Sequence, residues 1–292
     1  MILDKLLGID GSGPQMRRRA AAACSISAHD PLGARFLAAD ARTFAAVGVH
    51  PVLVACGVRA RGPQAGVFPI SGQAVDAQLA AAWATAPPDA VKVGAVESLD
   101  AVTLVRGALG DAPRSVVLDP EIVDKAGARI ASDDVAEALR VDILPLSSVV
   151  VLNTHEAALW SGLPVRGNES LRQAMRAVYD QGVGVVVGHC APDEKHAVDW
   201  VFDGSGFVEF GSDRIESPFV AGSGAVFSAA LTAYLARGKK MFAAIEAAKE
   251  LATAAVSGGA AVALGLGPAN PLSILYDRAG VNYAAIEELV PE

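Results

Sequence analysis

The chain has 292 residues, a net charge of -8, 52% apolar and 19% charged side chains. That composition buries a large core and excludes an intrinsically disordered chain, and the acidic balance argues against a nucleic-acid surface and for a small-molecule partner. Three widely spaced cysteines, Cys24, Cys56 and Cys190, exclude a disulfide framework or a cysteine-type zinc site and point to a reducing, cytoplasmic setting.

No apolar run is long enough to cross a membrane. Met16-Arg17-Arg18-Arg19 ahead of Ala20 to Ala28 looks like a leader, but the apolar part is short and runs into His29-Asp30-Pro31, a turn. It reads as a first strand. Residues 1–15 end in Gly-Ser-Gly-Pro-Gln and read as an extension outside the fold, with 16–292 as one domain.

After the Asp30-Pro31-Leu32-Gly33 turn, Phe36 to Val47 reads as a helix and Pro51 to Val58 as a valine-rich buried strand. Val67-Phe68-Pro69-Ile70 is a short edge or lid strand within the turn-rich 62–72 segment. Val75 to Ala86 is helical and stops at a double proline; Ala90 to Gly94 is a strand and Leu99 to Leu109 a helix. Ser115 to Asp119 is a strand ending in a carboxylate, and Asp133 to Leu139 a helix. Val149 to Leu152 is a strand whose sequel, Asn153-Thr154-His155-Glu156, opens a helix. Leu171 to Gln181 is helical, Val183 to Val187 a strand, and Asp199 to Phe202 with Gly206 to Phe210 a hairpin. A helix follows Gly222, and another runs from Phe242 to about Val262.

Strands that are apolar on both faces, alternating with helices, define a three-layer α/β/α fold with a mostly parallel sheet. Ligands of such sheets sit beyond the carboxyl ends of the strands. That rule singles out Asp30, Arg59, Gly94, Ala95, Asp119, Asn153, Glu156 and Gly188. The stretch Gly222-Ser223-Gly224-Ala225 opens a long apolar helix. A helix start carries unpaired N–H groups and partial positive charge, and glycine lets an anion approach the backbone. The same stretch serves equally as a plain capped helix, and Asn153 with Glu156 serves equally as a helix cap with a first-turn acid. His189, Cys190, Asp193, Glu194 and His196 form a dense group with metal-ligand chemistry, although the surrounding residues read as a solvent-facing loop. Trp160, Trp200 and Tyr234 read as packing.

Several segments in order resemble the ribokinase superfamily, and within it the hydroxymethylpyrimidine and phosphomethylpyrimidine kinases. They are Asp30-Pro31 with Gly33, Ala39-Asp40, Thr43-Phe44, Lys92-Val93-Gly94, Val117-Leu118-Asp119, Asn153-Thr154-His155-Glu156-Ala157, Asp199-Trp200-Val201-Phe202, Gly222-Ser223-Gly224 and Gly265-Leu266-Gly267-Pro268. The resemblance implies a ribokinase-like fold and transfer of phosphate from ATP, with Mg²⁺, to a small heteroaromatic alcohol or its phosphate in thiamine biosynthesis. Gly222, Ser223, Gly224 and Ala225 would form the anion hole for the moving group. Asn153 and Glu156 would serve nucleotide phosphate and metal, and Asp119 with Glu156 the Mg²⁺. Gly188 would lie at the nucleotide, and Asp30, Gly33, Arg59, Gly94 and Ala95 at the acceptor. A homodimer is also implied, and neither nucleic acid nor membrane is a partner.

The departures from that pattern matter equally. The usual cysteine base is Ala225, and an expected lysine aligns with Gly188. Arg35 and Phe36 are bulky where the family is small, Arg59 replaces a glutamine, and Ala95 a methionine. A lost general base typically costs about 10²–10⁴-fold in rate. Two other readings therefore stand beside the pyrimidine kinase: a non-catalytic ribokinase-fold binding or regulatory protein, and a kinase for another small alcohol such as a B6 vitamer.

Overall fold

A computed structural model describes residues 19–60, 64–110, 115–189, 196–262 and 267–281. Nine strands form one sheet, in the order β3-β2-β1-β4-β5-β6-β7-β8-β9. The parallel body consists of β1 (Ala22–His29), β2 (His50–Ala60), β4 (Ala90–Val93), β5 (Ser115–Leu118), β6 (Val149–Leu152) and β7 (Val186–His189). Antiparallel strands close the edges: β3 (Gly66–Pro69) pairs with β2 at one, and β8 (His196–Phe202) with β9 (Phe207–Asp213) continues from β7 at the other.

Helices α1 (Phe36–Ala46), α2 (Gly72–Thr85), α3 (Leu99–Leu109), α4 (Asp133–Ala138), α5 (Thr154–Ser161) and α6 (Asn168–Tyr179) fill the connections. After the hairpin come α7 (Ser223–Ala236), α8 (Met241–Ser257) and α9 (Ser273–Ala279). Strand side chains alternate between faces, so one strand feeds two cores. Leu118, Val150, Leu152 and Val186 join the larger core with residues of α2, α3 and α6, whereas Val117, Val149, Val151 and Val187 pack with α7 and α8.

The parallel sheet and its helical layers match the expected architecture, and Leu99–Leu109 and Val149–Leu152 match residue for residue. Three ends moved. The seventh strand starts later and runs on to His189, because its pairing with β6 and β8 covers Val186 to His189. The helix expected to reach Val262 stops at Ser257. There Gly258 lies so close to Ser273 that an added Cβ would sit 2.1 Å from the serine Cβ, and Gly259 is similarly pressed by Phe219. Helix α9 had no counterpart among the expected elements. The 1–15 extension and Cys190, Asp193, Glu194, Gly265 and Leu266 lie outside the described residues.

Candidate active site

Alternation selects which side chains meet at the carboxyl ends of the strands. Ser25 pairs in register with Lys92, which pairs with Val117, two residues before Asp119. These odd and even positions fall on the face covered by α7. Lys92 is fully buried, with Nζ 2.7 Å from Asp40 Oδ1 and 3.4 Å from Asp119 Oδ2. Burial opposes its charge, but the Asp40, Asp119 and Glu121 carboxylates outweigh that and raise its pKa. Ser25 Oγ donates to Asp40 at 2.5 Å, and Ser228 Oγ, one turn into α7, donates to Asp119 at 2.6 Å. This polar chain ties β1, β4, β5, α1 and α7 together beneath the helix start.

At that start Gly222 adopts a left-handed φ of +79°, and an added Cβ would meet the Ala34 carbonyl oxygen at 2.0 Å. Only glycine lets the β1–α1 loop approach so closely. Gly224 has open space above it. Two cavities open on either side, one of about 590 Å³ and one of about 350 Å³. The larger is walled by β8, β9, α8 and the 214–217 turn, with Ser223, Gly224 and Phe227 on α7. The smaller is walled by Arg35, Asp119, Glu121, Asn153, Glu156 and the first residues of α7, including Gly222, Gly224 and Ala225. Lys125, His189, Val220 and Gly224 line both.

The expected cap reading of Asn153 and Glu156 is realised as a complete capping box. Asn153 Oδ1 accepts from the His155 and Glu156 N–H groups at 2.9 and 3.0 Å, and Glu156 Oε2 accepts from the Asn153 N–H at 3.0 Å. Glu156 Oε1 reaches across to the Ile122 and Val123 N–H groups at 3.0 and 3.4 Å. Burial, then the Asp119 charge, pushes the Glu156 carboxyl up to about 8. Glu121 is pushed up to about 7, by burial first and then by Asp119, against the pull of Arg35 at 2.9 Å. Its φ of +48° is unusual for a side-chain-bearing residue, and its Oε1 is buried without a partner. Neighbouring buried carboxylates raised in this way suit a divalent cation, and oxygen ligands suit Mg²⁺. Among the described residues no three His, Cys, Asp or Glu side chains close on one point. A Mg²⁺ here would therefore keep waters and phosphate oxygens in its shell, as that ion commonly does.

The residues expected at the acceptor gather elsewhere. Asp30, Gly33, Arg59, Gly94 and Ala95 line neither cavity. The Phe36 side chain occupies their midst: it is 1% exposed, packs with Ala28 and Ala95, and lies 5.3 Å below the guanidinium carbons of both Arg35 and Arg59. Its φ is +56°, strained for an aromatic residue. Arg59 is no free anion binder; Nε and one Nη hold Glu97 at 2.5 and 2.9 Å. Asp30 caps its own turn by accepting from the Leu32 N–H at 3.0 Å, while its Oδ2 is buried without a partner. Gly94 and Ala95 close on Ser27, whose Oγ accepts from the Ala95 N–H at 3.1 Å.

Gly188 is also displaced from its expected role. It lines neither cavity, and an added Cβ would sit 2.7 Å from Met175 Sδ, on the opposite face of the sheet. The next residue, His189, faces the cavities instead. His189 and His196 form no metal cluster among the described residues. Trp160 is buried in the larger core and Trp200 packs at its margin under Arg172, as packing residues should. Glu121, Lys125 and the cavity-facing role of His189 escaped the sequence. The available signal was Glu121 as a second carboxylate two residues past Asp119.

A parallel sheet with a glycine-opened helix at its carboxyl ends and two adjoining cavities defines a ribokinase-like small-molecule kinase fold. The profile of the phosphomethylpyrimidine kinase family matches residues 30–270, and the chain belongs to that family. A hydroxymethylpyrimidine/phosphomethylpyrimidine kinase of Synechococcus elongatus is 32% identical over 250 residues, covering 84% of this chain and 95% of the relative. A pyridoxine kinase of Bacillus subtilis is 32% identical over 242 residues, covering 80% and 89%. Among solved structures, the ADP complex of Bacillus subtilis pyridoxal kinase superposes with a TM-score of 0.82 at 28% identity, covering 88% of this chain and 99% of that one.

Proposed function

We propose that the chain transfers the terminal phosphoryl group of ATP to a hydroxymethylpyrimidine or its phosphate. The observation that carries this is the meeting of two cavities at Gly224, one roomy enough for a nucleotide and one lined by carboxylates. The names of the relatives and the nucleotide complex of the structural neighbour support it. The nucleotide lies in the larger cavity, with its phosphates toward Ser223 and Gly224. The first N–H groups of α7 receive the charge that grows on the moving phosphoryl oxygens. Lys125 lines both cavities at the same ridge and offers its ammonium to the phosphates.

Asp119 and Glu121 would hold Mg²⁺, through waters and phosphate oxygens. Glu156 gives its oxygens to backbone N–H groups, so it acts on the ion by charge. When bound, the ion neutralises phosphate charge. Ala225 has no proton-accepting group, so the acceptor hydroxyl relies on positioning and on loss of its proton to water. Phe36 stands among the expected acceptor residues, so a ring that binds there must displace it. The B6-vitamer reading draws on the pyridoxine kinase relative and takes the same route.

A homodimer is proposed through the β2–β3 edge, where Leu53, Val67 and Phe68 are exposed apolar side chains. Sedimentation of the wild type against Phe68→Asp tests it. Among the described residues no helix is long and apolar enough to cross a membrane. With Cys24 and Cys56 held as buried thiols, a cytoplasmic setting is proposed. Phosphoryl transfer from Mg-ATP to hydroxymethylpyrimidine, its monophosphate and pyridoxal, with background hydrolysis subtracted, tests the activity. A non-catalytic binding protein would bind nucleotide and transfer nothing.

A further inference from the structure

A phosphoryl group passing from the larger cavity to the smaller must cross the ridge that both share. Of the side chains on that ridge, His189 is the one braced from behind. Its Nδ1 lies 2.6 Å from Asp199 Oδ1, and Asp199 Oδ2 takes the Lys249 ammonium at 2.9 Å. Its ring stands edge-on to Phe227 with 4.9 Å between centroids, so α7 holds it as well. Asp199 stays ionised: burial alone would raise its pKa, and His189 and Lys249 hold it below the usual carboxylate range. An ionised carboxylate on Nδ1 places a proton there and turns Nε2 toward the ridge. Nε2 is left buried without a partner among the described residues. An unmatched buried polar atom is costly, and this one belongs to a side chain that lines both cavities, where a ligand atom can complete it.

We propose that His189 is a catalytic residue, its Nε2–H donating a charge-assisted hydrogen bond to an oxygen of the phosphoryl group in transit. The inference rests on the kinase reading above and deepens it. The cation expected at position 188 would point at Met175, whereas position 189 points at the ridge. In the step, the acceptor oxygen bonds to phosphorus as the bond from phosphorus to the bridging oxygen breaks. That electron pair stays on the departing diphosphate, the hydroxyl proton goes to water, and His189 keeps both of its protons. His189 thus supplies positive charge without serving as the base that Ala225 lacks.

The test measures binding of AMP, ADP and the β,γ-methylene analogue of ATP by calorimetry, in wild type, His189→Ala and His189→Lys. A charge-assisted bond of the usual strength predicts a loss of about tenfold or more for the triphosphate analogue in His189→Ala, with AMP unchanged. His189→Lys should recover most of that loss. An equal loss for all three nucleotides, or none for the analogue, overturns the proposal while leaving the kinase reading intact. A wild type that binds no nucleotide overturns the kinase reading itself. If His189→Ala fails to fold, the ¹⁵N shift of His189 Nε2 in wild type still decides. It should move when the triphosphate analogue is added and stay put with AMP, and no movement with either contradicts the contact.

Discussion

Two regions at the carboxyl ends of the strands are built on opposite plans. Around Gly224 polar groups are left open: Glu121 Oε1 and His189 Nε2 are buried without partners, and two cavities meet. Beyond the end of β1 an ion pair and a packed ring fill the space, although Asp30 Oδ2 is also buried without a partner among the described residues. Arg59 is locked to Glu97, and a phenyl ring fills the space between Ala28 and Ala95. Unsatisfied buried polar atoms are costly and so persist where a ligand completes them. A packed ring and a bidentate ion pair need nothing further. On the function proposed above, the first region takes a charged, transient ligand and the second must open before it binds.

Lys92 joins the two regions, since it holds Asp40 on one side and Asp119 on the other. Lys92→Met leaves both carboxylates buried without their cation and should lower stability by about 3–5 kcal/mol, read from urea unfolding. A loss near zero would mean that the two regions do not share a support. Next in size is Gly222→Ala, which puts a Cβ against the Ala34 carbonyl and pushes the helix start away from the β1–α1 loop. It should cut phosphoryl transfer by about 10²–10³-fold, as loss of an oxyanion-type donor does, with the circular-dichroism spectrum retained.

Phe36→Ala addresses the closed region. Removal of a buried phenylalanine side chain costs about 3 kcal/mol, with the left-handed φ still unfavourable because alanine keeps the Cβ. The same variant should bind hydroxymethylpyrimidine or pyridoxal more tightly by about tenfold in calorimetry. Unchanged ring binding would show that Phe36 does not guard the acceptor.

The remaining effect is a pH dependence, whose size grows with the pH interval scanned. Glu156 and Glu121 have folded-state pKa values raised to about 8 and about 7, so the folded state holds protons that the unfolded chain releases. Without metal, stability should therefore fall as pH rises from about 4.5 toward 8, by at most about 1.4 kcal/mol per pH unit for each group. Glu156→Gln should flatten the upper part of that slope in thermal melts. Mg²⁺ should raise the wild-type midpoint more at pH 8 than at pH 6.

The two regions were also unequally legible in the sequence. Strands such as Val149–Leu152 announce themselves by being apolar on both faces, and Asn153 with Glu156 at the following helix start carries its own cap signature. The Gly222–Ala225 helix start was legible because glycine and a small hydroxyl residue open an apolar run. Gly188 was not, since an alignment column does not say which face of a sheet a side chain takes. The observed end of β7, two residues beyond the expected one, turns residue 189 and not 188 toward the ridge. Phe36 was visible as a bulky departure, but its burial depends on Ala28, Ala95, Arg35 and Arg59 arriving from separate segments. The Arg59–Glu97 pair spans 38 residues of chain, beyond any local pattern.

The most direct test is transfer of labelled phosphate from Mg-ATP to hydroxymethylpyrimidine, run in parallel on wild type, Gly222→Ala and Phe36→Ala. The account predicts labelled product with wild type, loss with Gly222→Ala, and a lower KM for the ring with Phe36→Ala. Labelled product from Gly222→Ala at the wild-type rate, or none from wild type and Phe36→Ala alike, would contradict it.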